Sequence, residues 1–259
     1  MKLPVVERKS GYNQISTEES EMMMDIGLVK LSEGQVYESN DPIKECVILL
    51  LEGKVTFEWK NIKQTVERRD LFHEGPYVLH VCRNTPVTVT ALCDSELIQQ
   101  KATNPARFEN RLYQPADSRN ETVWKGYFDD CAVREVVTTI DYSINPYSKL
   151  VIGEVINHPG KWSSYIPHSH PQPEVYFYRF DKPQGFGAAF EGDDVYKSVD
   201  YSFSMIHGER THPQVAAPGY AMYFCWMIRH FEDQPWTSRN DDAEHTWLLE
   251  KEVKIWKKK

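Results

Sequence analysis

The chain has 259 residues, which at roughly 150 residues per domain lies between one large domain and two compact ones. Hydrophobic residues make up 41% and charged residues 26%, which excludes wholesale disorder and a fibrous repeat. A net charge of −8, from 30 basic and 38 acidic residues, argues against nucleic acid or an anionic membrane surface as the main partner.

No apolar run approaches the ~20 residues that span a bilayer, and Met1-Lys2-Leu3-Pro4 lacks the apolar core of a signal peptide. Cys46, Cys82, Cys93, Cys131 and Cys225 are scattered, odd in number and never in C-x-x-C spacing. That pattern argues against a disulfide scaffold or a thiolate zinc site, and a cytoplasmic, reducing location is the expectation.

In chain order, short β-branched and aromatic runs alternate with turn residues, the pattern of a sandwich or barrel. Strands are expected near Gly34–Tyr37, Cys46–Glu52, Lys54–Trp59, Gln64–Glu67, Tyr77–Val81 and Val87–Leu92. Leu51-Glu52-Gly53-Lys54 reads as a hairpin turn with glycine at positive φ. From Leu97 to Asn120 the composition turns polar, with Asn104-Pro105 and Gln114-Pro115-Ala116-Asp117 marking a connector, and Lys101–Tyr113 is a candidate short helix. A second set of strands is expected at Ala132–Ile140, Leu150–Ile156, Trp162–Ile166, Val175–Phe180, Phe186–Phe190, Ser198–Val199, Gln214–Ala217 and Ala221–Ile228. The tail Trp247–Lys259 ends in a solvated basic run. The simplest arrangement is two all-β units, residues 1–120 and 121–259.

The histidines are unevenly spread: seven of the nine, from His158 to His245, fall in the second half. In an extended segment residues i and i+2 face one side, so His168 and His170 can point inward together. Glu174 then opens the next strand after a turn stiffened by Pro171 and Pro173. Two imidazoles and a carboxylate make a facial set for a divalent transition metal, with Mn²⁺, Fe²⁺, Zn²⁺ and Ni²⁺ all acceptable and Ca²⁺ and Mg²⁺ disfavoured. His212 is the best fourth ligand and His207 the alternative. His158, His230 and His245 lack companions, as do His73 and His80 in the first half.

H-x-H-x3-E with a later His is the metal pattern of the cupin superfamily, although Gly160 lies two residues farther from the first His than usual and no Gly follows Glu174 at the expected distance. The phrases His158-Pro-Gly-Lys-Trp-Ser-Ser-Tyr, Pro167-His-Ser-His, Glu174-Val-Tyr-Phe-Tyr-Arg, Pro183-Gln-Gly-Phe-Gly and His212-Pro-Gln-Val-Ala-Ala-Pro-Gly-Tyr resemble the family of 5-deoxy-glucuronate and 5-keto-4-deoxyuronate isomerases. The short Pro-Gln-Pro between H-x-H and Glu174 is similar to the pectin-pathway branch rather than the inositol-pathway branch, which usually carries a longer acidic insertion. The N-terminal half matches only through its strand rhythm.

The resemblance implies an all-β bicupin of two jelly-roll-type antiparallel barrels, the first without a metal site, and a homo-oligomer. It implies metal-dependent aldose–ketose isomerisation of a small deoxy-uronate in inositol catabolism, from 5-deoxy-D-glucuronate to 5-dehydro-2-deoxy-D-gluconate, with His168, His170, Glu174 and His212 as ligands. The rivals are a metal-dependent dioxygenase and a sugar-binding regulatory module, the latter weakened by the absence of a basic face. Strand parity puts Tyr176 and Tyr178 on the side of Glu174 as candidate proton-handling groups, against an aromatic packing stripe. Tyr223 on the last strand is a weaker candidate. For the substrate carboxylate Lys161 is the first choice; Arg179 has the wrong parity unless a bulge intervenes, and Arg229 ends the last strand. Gln184 is a candidate for substrate hydroxyls.

Overall fold

The computed structural model describes residues 1–250 and 253–257. Of the tail read as a solvated basic run, Lys251, Glu252, Lys258 and Lys259 lie outside the described residues. The first half contains β1 (Gly11–Ser16), β2 (Asp25–Leu31), β3 (Val36–Ser39), β4 (Lys44–Trp59), β5 (Ile62–Arg68), β6 (Tyr77–Val81), β7 (Val87–Ala91), β8 (Ser95–Thr103) and β9 (Arg111–Tyr113). The second contains β10 (Arg119–Val123), β11 (Arg134–Ile140), β12 (Leu150–Asn157), β13 (Trp162–Ser163), β14 (His168–Ser169), β15 (Glu174–Phe180), β16 (Phe186–Glu191), β17 (Asp194–Val199), β18 (Phe203–Ile206), β19 (Gln214–Ala216), β20 (Met222–Arg229) and β21 (Asn240–Asp241). Apart from an isolated bridge at Lys2, the pairings are antiparallel. No helix among the described residues is long and apolar enough to cross a membrane.

The expected hairpin at Leu51–Lys54 is instead the middle of one 16-residue strand. Leu50 pairs with Leu97 and Glu52 with Glu96, so one extra residue sits on β4 against β8. This bulge shifts the side-chain alternation by one. Cys46, Ile48 and Leu50 before it and Val55, Phe57 and Trp59 after it all reach the same core. Gly53 is required here: at φ +117° a Cβ would lie 2.2 Å from Ser95 Oγ. The bent strand pairs with β8 and β6 through its first part and with β5 and β7 through its second.

The connector expected from Leu97 to Asn120 is also corrected. Its first seven residues complete β8, a central strand between β2 and β4, and Lys101–Tyr113 contains no helix. Gln99 and Gln100 lend the segment its polar appearance but are buried and hydrogen-bonded, Gln99 to Tyr37 and Gln100 to Val151 O. Tertiary partners outweighed local polarity.

In the second half the six-strand order is β10-β11-β12-β20-β15-β18, and β13-β19-β16-β17 form a second sheet. Even-numbered side chains of β20 (Met222, Phe224, Trp226, Ile228) share a core with Tyr176, Tyr178 and Phe180. Odd-numbered ones (Tyr223, Cys225, Met227) face the first half and pack with Val175, Phe177, Val47, Leu49 and Leu51. The first six residues cross the 120/121 division: Leu3 joins the second-half core and Val5 bridges Ser202.

This apolar seam contains two buried ionic networks. Arg68 and Glu154, 1% and 2% exposed, pair through two contacts of 2.7 and 3.0 Å, and Tyr223 donates to the same carboxylate at 2.5 Å. Glu45 accepts from His80 (2.7 Å), Asn104 (2.9 Å), Ser148 (3.0 Å) and the Lys149 amide (2.6 Å). His80 therefore has a carboxylate partner that its sequence neighbourhood does not show.

Removing one partner of a buried ion pair leaves an uncompensated charge, which costs about 3–5 kcal/mol. Arg68→Met is expected to lose that much stability in urea unfolding. Arg68→Met/Glu154→Leu, with neither charge left, is expected to lose less than the single variant.

Candidate metal centre

The turn before β15 and the approach to β19 bring His170, Glu174 and His212 together in the second half. Their ligand atoms all lie within 4.8 Å of one another, and all three residues are buried. His170 Nε2 and His212 Nε2 are each 3.2 Å from Glu174 Oε2. His168 is buried beside them, its ring centroid 4.9 Å from that of His212. His207, the alternative ligand, is half-exposed elsewhere, between Glu21 and Glu191.

Each imidazole is held in one orientation by a backbone carbonyl two residues away. Nδ1 of His168 donates to Ile166 O at 3.0 Å, that of His170 to Gln172 O at 3.0 Å, and that of His212 to Arg210 O at 2.9 Å. With the proton on Nδ1, the Nε2 lone pair is the one available to an ion, the usual arrangement behind metal-bound histidine. His212 Nε2 is buried without a hydrogen-bond partner among the described residues, close to Glu174 but out of line with it. An orphaned lone pair beside a carboxylate fits a divalent transition ion, and the nitrogen-rich donor set suits Mn, Fe, Zn or Ni.

Burial pushes the pKa of His168 far down, with His212 adding to the effect, and burial also lowers that of His212. Both rings are therefore neutral, the form that binds a metal.

Tyr176 lines an open cavity beside the cluster, together with His168, His170, Glu174, Trp226 and Arg134. Its hydroxyl lies 3.2 Å from Ser164 Oγ, and Ser164 is held at φ +49°. Burial and the charge of Glu174 raise the Tyr176 pKa well above 10. The segment before and through β21 closes one side: His168 pairs with Asp241, and Gln172 Nε2 donates to Gln234 O at 2.7 Å.

The other residues nominated from sequence lie apart. Tyr178 is fully buried behind Tyr176, and its hydroxyl donates to Gln214 Oε1 at 2.8 Å. Gln214 Nε2 in turn holds His212 O at 2.8 Å, so Tyr178 positions the His212 segment. Tyr223 faces the seam and Glu154. Arg179 pairs with Asp200 and Glu96 at 3.0 Å each, and the bulge that would turn it inward is absent from β15. Gln184 is exposed on its loop, and Lys161 is outside the cavity lining. Arg229 ends β20 against His230 O.

Sequence reasoning missed Ser163, Trp226, Trp236, Arg134 and Arg239. Trp226 had a signal: it stands directly opposite Tyr176, so the parity rule applied across the strand pair selects it. Arg134 and Arg239 have none, because they approach from chain distances that no local pattern encodes.

Antiparallel sheets and a buried His–Glu–His set accord with the cupin pattern read from the sequence. The fold matches a Cupin 2 conserved barrel domain protein from Leptotrichia buccalis (TM-score 0.50, 12% identity, 86% of this chain and 91% of that one). The KduI/IolB family model matches residues 3–248, and the chain belongs to that family. A 5-deoxy-glucuronate isomerase of Geobacillus thermodenitrificans is 28% identical over 244 residues, covering 86% of this chain and 85% of the relative. An IolB-like protein from Salmonella typhimurium LT2 superposes with a TM-score of 0.87 at 20% identity, over 96% of this chain and 100% of that one.

Depressed histidine pKa values set a sign for stability against pH. The unfolded chain takes up protons near the ordinary value of 6.5, while folded His168 and His212 do not, and folded His230 does so only near 4. The unfolded state thus binds more protons below about pH 6.5, and stability falls with pH there. Chelator-treated protein is expected to show a Tm that declines steadily from pH 7 to 5. A flat Tm over that window would contradict the neutral assignment.

Proposed function

We propose that the protein is a metal-dependent aldose–ketose isomerase converting 5-deoxy-D-glucuronate to 5-dehydro-2-deoxy-D-gluconate in inositol catabolism. The observation that carries the reading is the convergence of His170, Glu174 and His212, each imidazole tethered through Nδ1, beside a cavity lined by Tyr176. Family membership and relatives named 5-deoxy-glucuronate isomerase support the substrate.

His170, Glu174 and His212, with His168 beside them, would hold a divalent transition ion, which supplies a Lewis acid for a substrate carbonyl and its neighbouring hydroxyl. The carbonyl tethers fix the imidazoles before substrate arrives, so little reorganisation is needed during reaction. Tyr176 keeps its proton at neutral pH and donates a hydrogen bond to a substrate oxygen at the cavity wall. Val136, Val155 and Phe224 give the cavity an apolar side that limits water and suits the deoxygenated carbon of a deoxy-sugar.

Glu174→Gln is expected to lose bound metal and to lower turnover by roughly a thousandfold, the scale of several kcal/mol of lost charge stabilisation. Metal analysis and an isomerisation assay with 5-deoxy-D-glucuronate check this, and a variant with full metal content and full activity would refute the reading. Parallel assays with 5-keto-4-deoxyuronate separate the two branches of the family.

The two tyrosines should diverge. Tyr176→Phe is expected to lower kcat by roughly 10²-fold, the low end for a positioned proton-handling group, and to cost about 1 kcal/mol of stability through its lost contact with Ser164. Tyr178→Phe is expected to cost about 1 kcal/mol of stability through its lost hydrogen bond. Its effect on kcat should be small.

A further inference from the structure

We propose that Arg134, with Ser163, Trp226 and Trp236, forms the receptor for the carboxylate of the substrate, an assignment that rests on the isomerase reading for the identity of that ligand. Arg134 opens β11 and is only 4% exposed. Among the described residues its guanidinium makes one hydrogen bond, from Nη1 to Ala132 O at 3.0 Å, and no acidic side chain pairs with it. Arg68, equally buried, is by contrast matched to a carboxylate through two contacts. A guanidinium carries five N–H donors and is costly to bury without a counter-charge. Burial and the nearby charge of Arg239 push its pKa down to about 10, so it remains a cation at neutral pH.

Arg239 lines the same cavity and brings a second positive charge, shared with Asp241 at 3.2 Å. Three neutral groups of the lining are also unsatisfied. Ser163 Oγ, Trp226 Nε1 and Trp236 Nε1 are buried with no hydrogen-bond partner among the described residues. An indole can only donate, so these groups and Arg134 together present an excess of donors. The complementary ligand is an anion rich in acceptors, and the planar fork of arginine matches a carboxylate in bidentate fashion.

The tryptophan is seated for this purpose by its neighbour across the sheet. Gly153 pairs with Trp226, and a Cβ at Gly153 would lie 2.4 Å from indole Cζ2 and 2.5 Å from Cε2. The missing side chain leaves the slot in which the indole lies. Trp236 packs on it with ring centroids 5.7 Å apart. This arrangement supplies the cation that neither Lys161 nor Arg179 provides from its place in the fold.

The test measures binding of D-glucuronate and of D-glucose by tryptophan fluorescence, with metal content recorded for every variant. Wild type should prefer the uronate at least tenfold. Arg134→Gln should abolish that preference and raise KM for 5-deoxy-D-glucuronate by about 30-fold, the size expected for truncating a buried charged partner, with bound metal unchanged. Trp226→Phe and Ser163→Ala should each weaken uronate binding severalfold. If Arg134→Gln fails to fold, these two variants decide: wild-type uronate preference in both overturns the receptor. It is likewise overturned by a wild type without preference, or by a folded Arg134→Gln that retains it. Arg134-dependent uronate preference without turnover of 5-deoxy-D-glucuronate would leave the receptor standing and remove the isomerase reading. Turnover with an unchanged KM in Arg134→Gln would do the reverse.

Discussion

The structure depends on burying its central strands on both faces. In β20 every residue from Met222 to Arg229 is buried: the even positions fill the core of the second half and the odd positions fill the seam against the first. β4, β12 and β15 obey the same division. A strand wetted on one face tolerates polar residues there, but one buried on both faces must match every polar group it carries. The seam meets that demand with Arg68, Glu154 and Tyr223 in one network and Glu45, His80, Asn104 and Ser148 in another. Their role is to permit apolar packing around them, since buried ion pairs by themselves add little net stability.

The same alternation decides what reaches the candidate metal centre. Tyr176 and Trp226 face each other across β15 and β20 on the cavity side, whereas Phe177 and Cys225 face the seam. Glu174 begins β15 with the parity of Tyr176, which delivers its carboxylate to His170 and His212. Tyr178 shares that parity but lies one repeat deeper. There its hydroxyl supports Gln214 and, through Gln214, the His212 carbonyl. Behind each imidazole stands a backbone carbonyl rather than a carboxylate, so ring orientation is set by local chain geometry and not by further charge. The site therefore keeps one carboxylate between its imidazoles, while the positive charge of Arg134 and Arg239 lies elsewhere on the wall.

Composition made the chain acidic overall, yet the proposed deoxy-uronate substrate is itself an anion. The cavity answers this locally, because a cation in a low-dielectric pocket outweighs distributed surface charge screened beyond about 10 Å. Apolar walls from Val136, Val155 and Phe224 strengthen every such interaction by lowering the polarisability around it.

Periodicity and turn residues in the chain were sufficient for the all-β class and for most second-half strands, and they nominated His168, His170 and Glu174 as neighbours, because these signals are local: i,i+2 alternation, prolines in a tight turn, glutamate at a strand start. That His212 joins His170 and Glu174 is decided by the tertiary structure. Local signals misread β4 and β8. The glycine that looks like a hairpin turn at Gly53 relieves a clash with Ser95 from another strand, and the glutamines that look exposed on β8 find partners 51 and 62 residues away. Parity puts Tyr176 and Arg179 on opposite faces of β15, but depth along the strand, which distinguishes Tyr176 from Tyr178, depends on which strands lie above it. Arg134, Trp236 and Arg239 reach the cavity only because β11 pairs with β12 and the residues around β21 fold back over β14. Residue type and spacing carry the chemistry that a strand can offer. Which side chains share one cavity is settled by long-range pairing, whose energy comes from burial between segments that no short window of sequence contains.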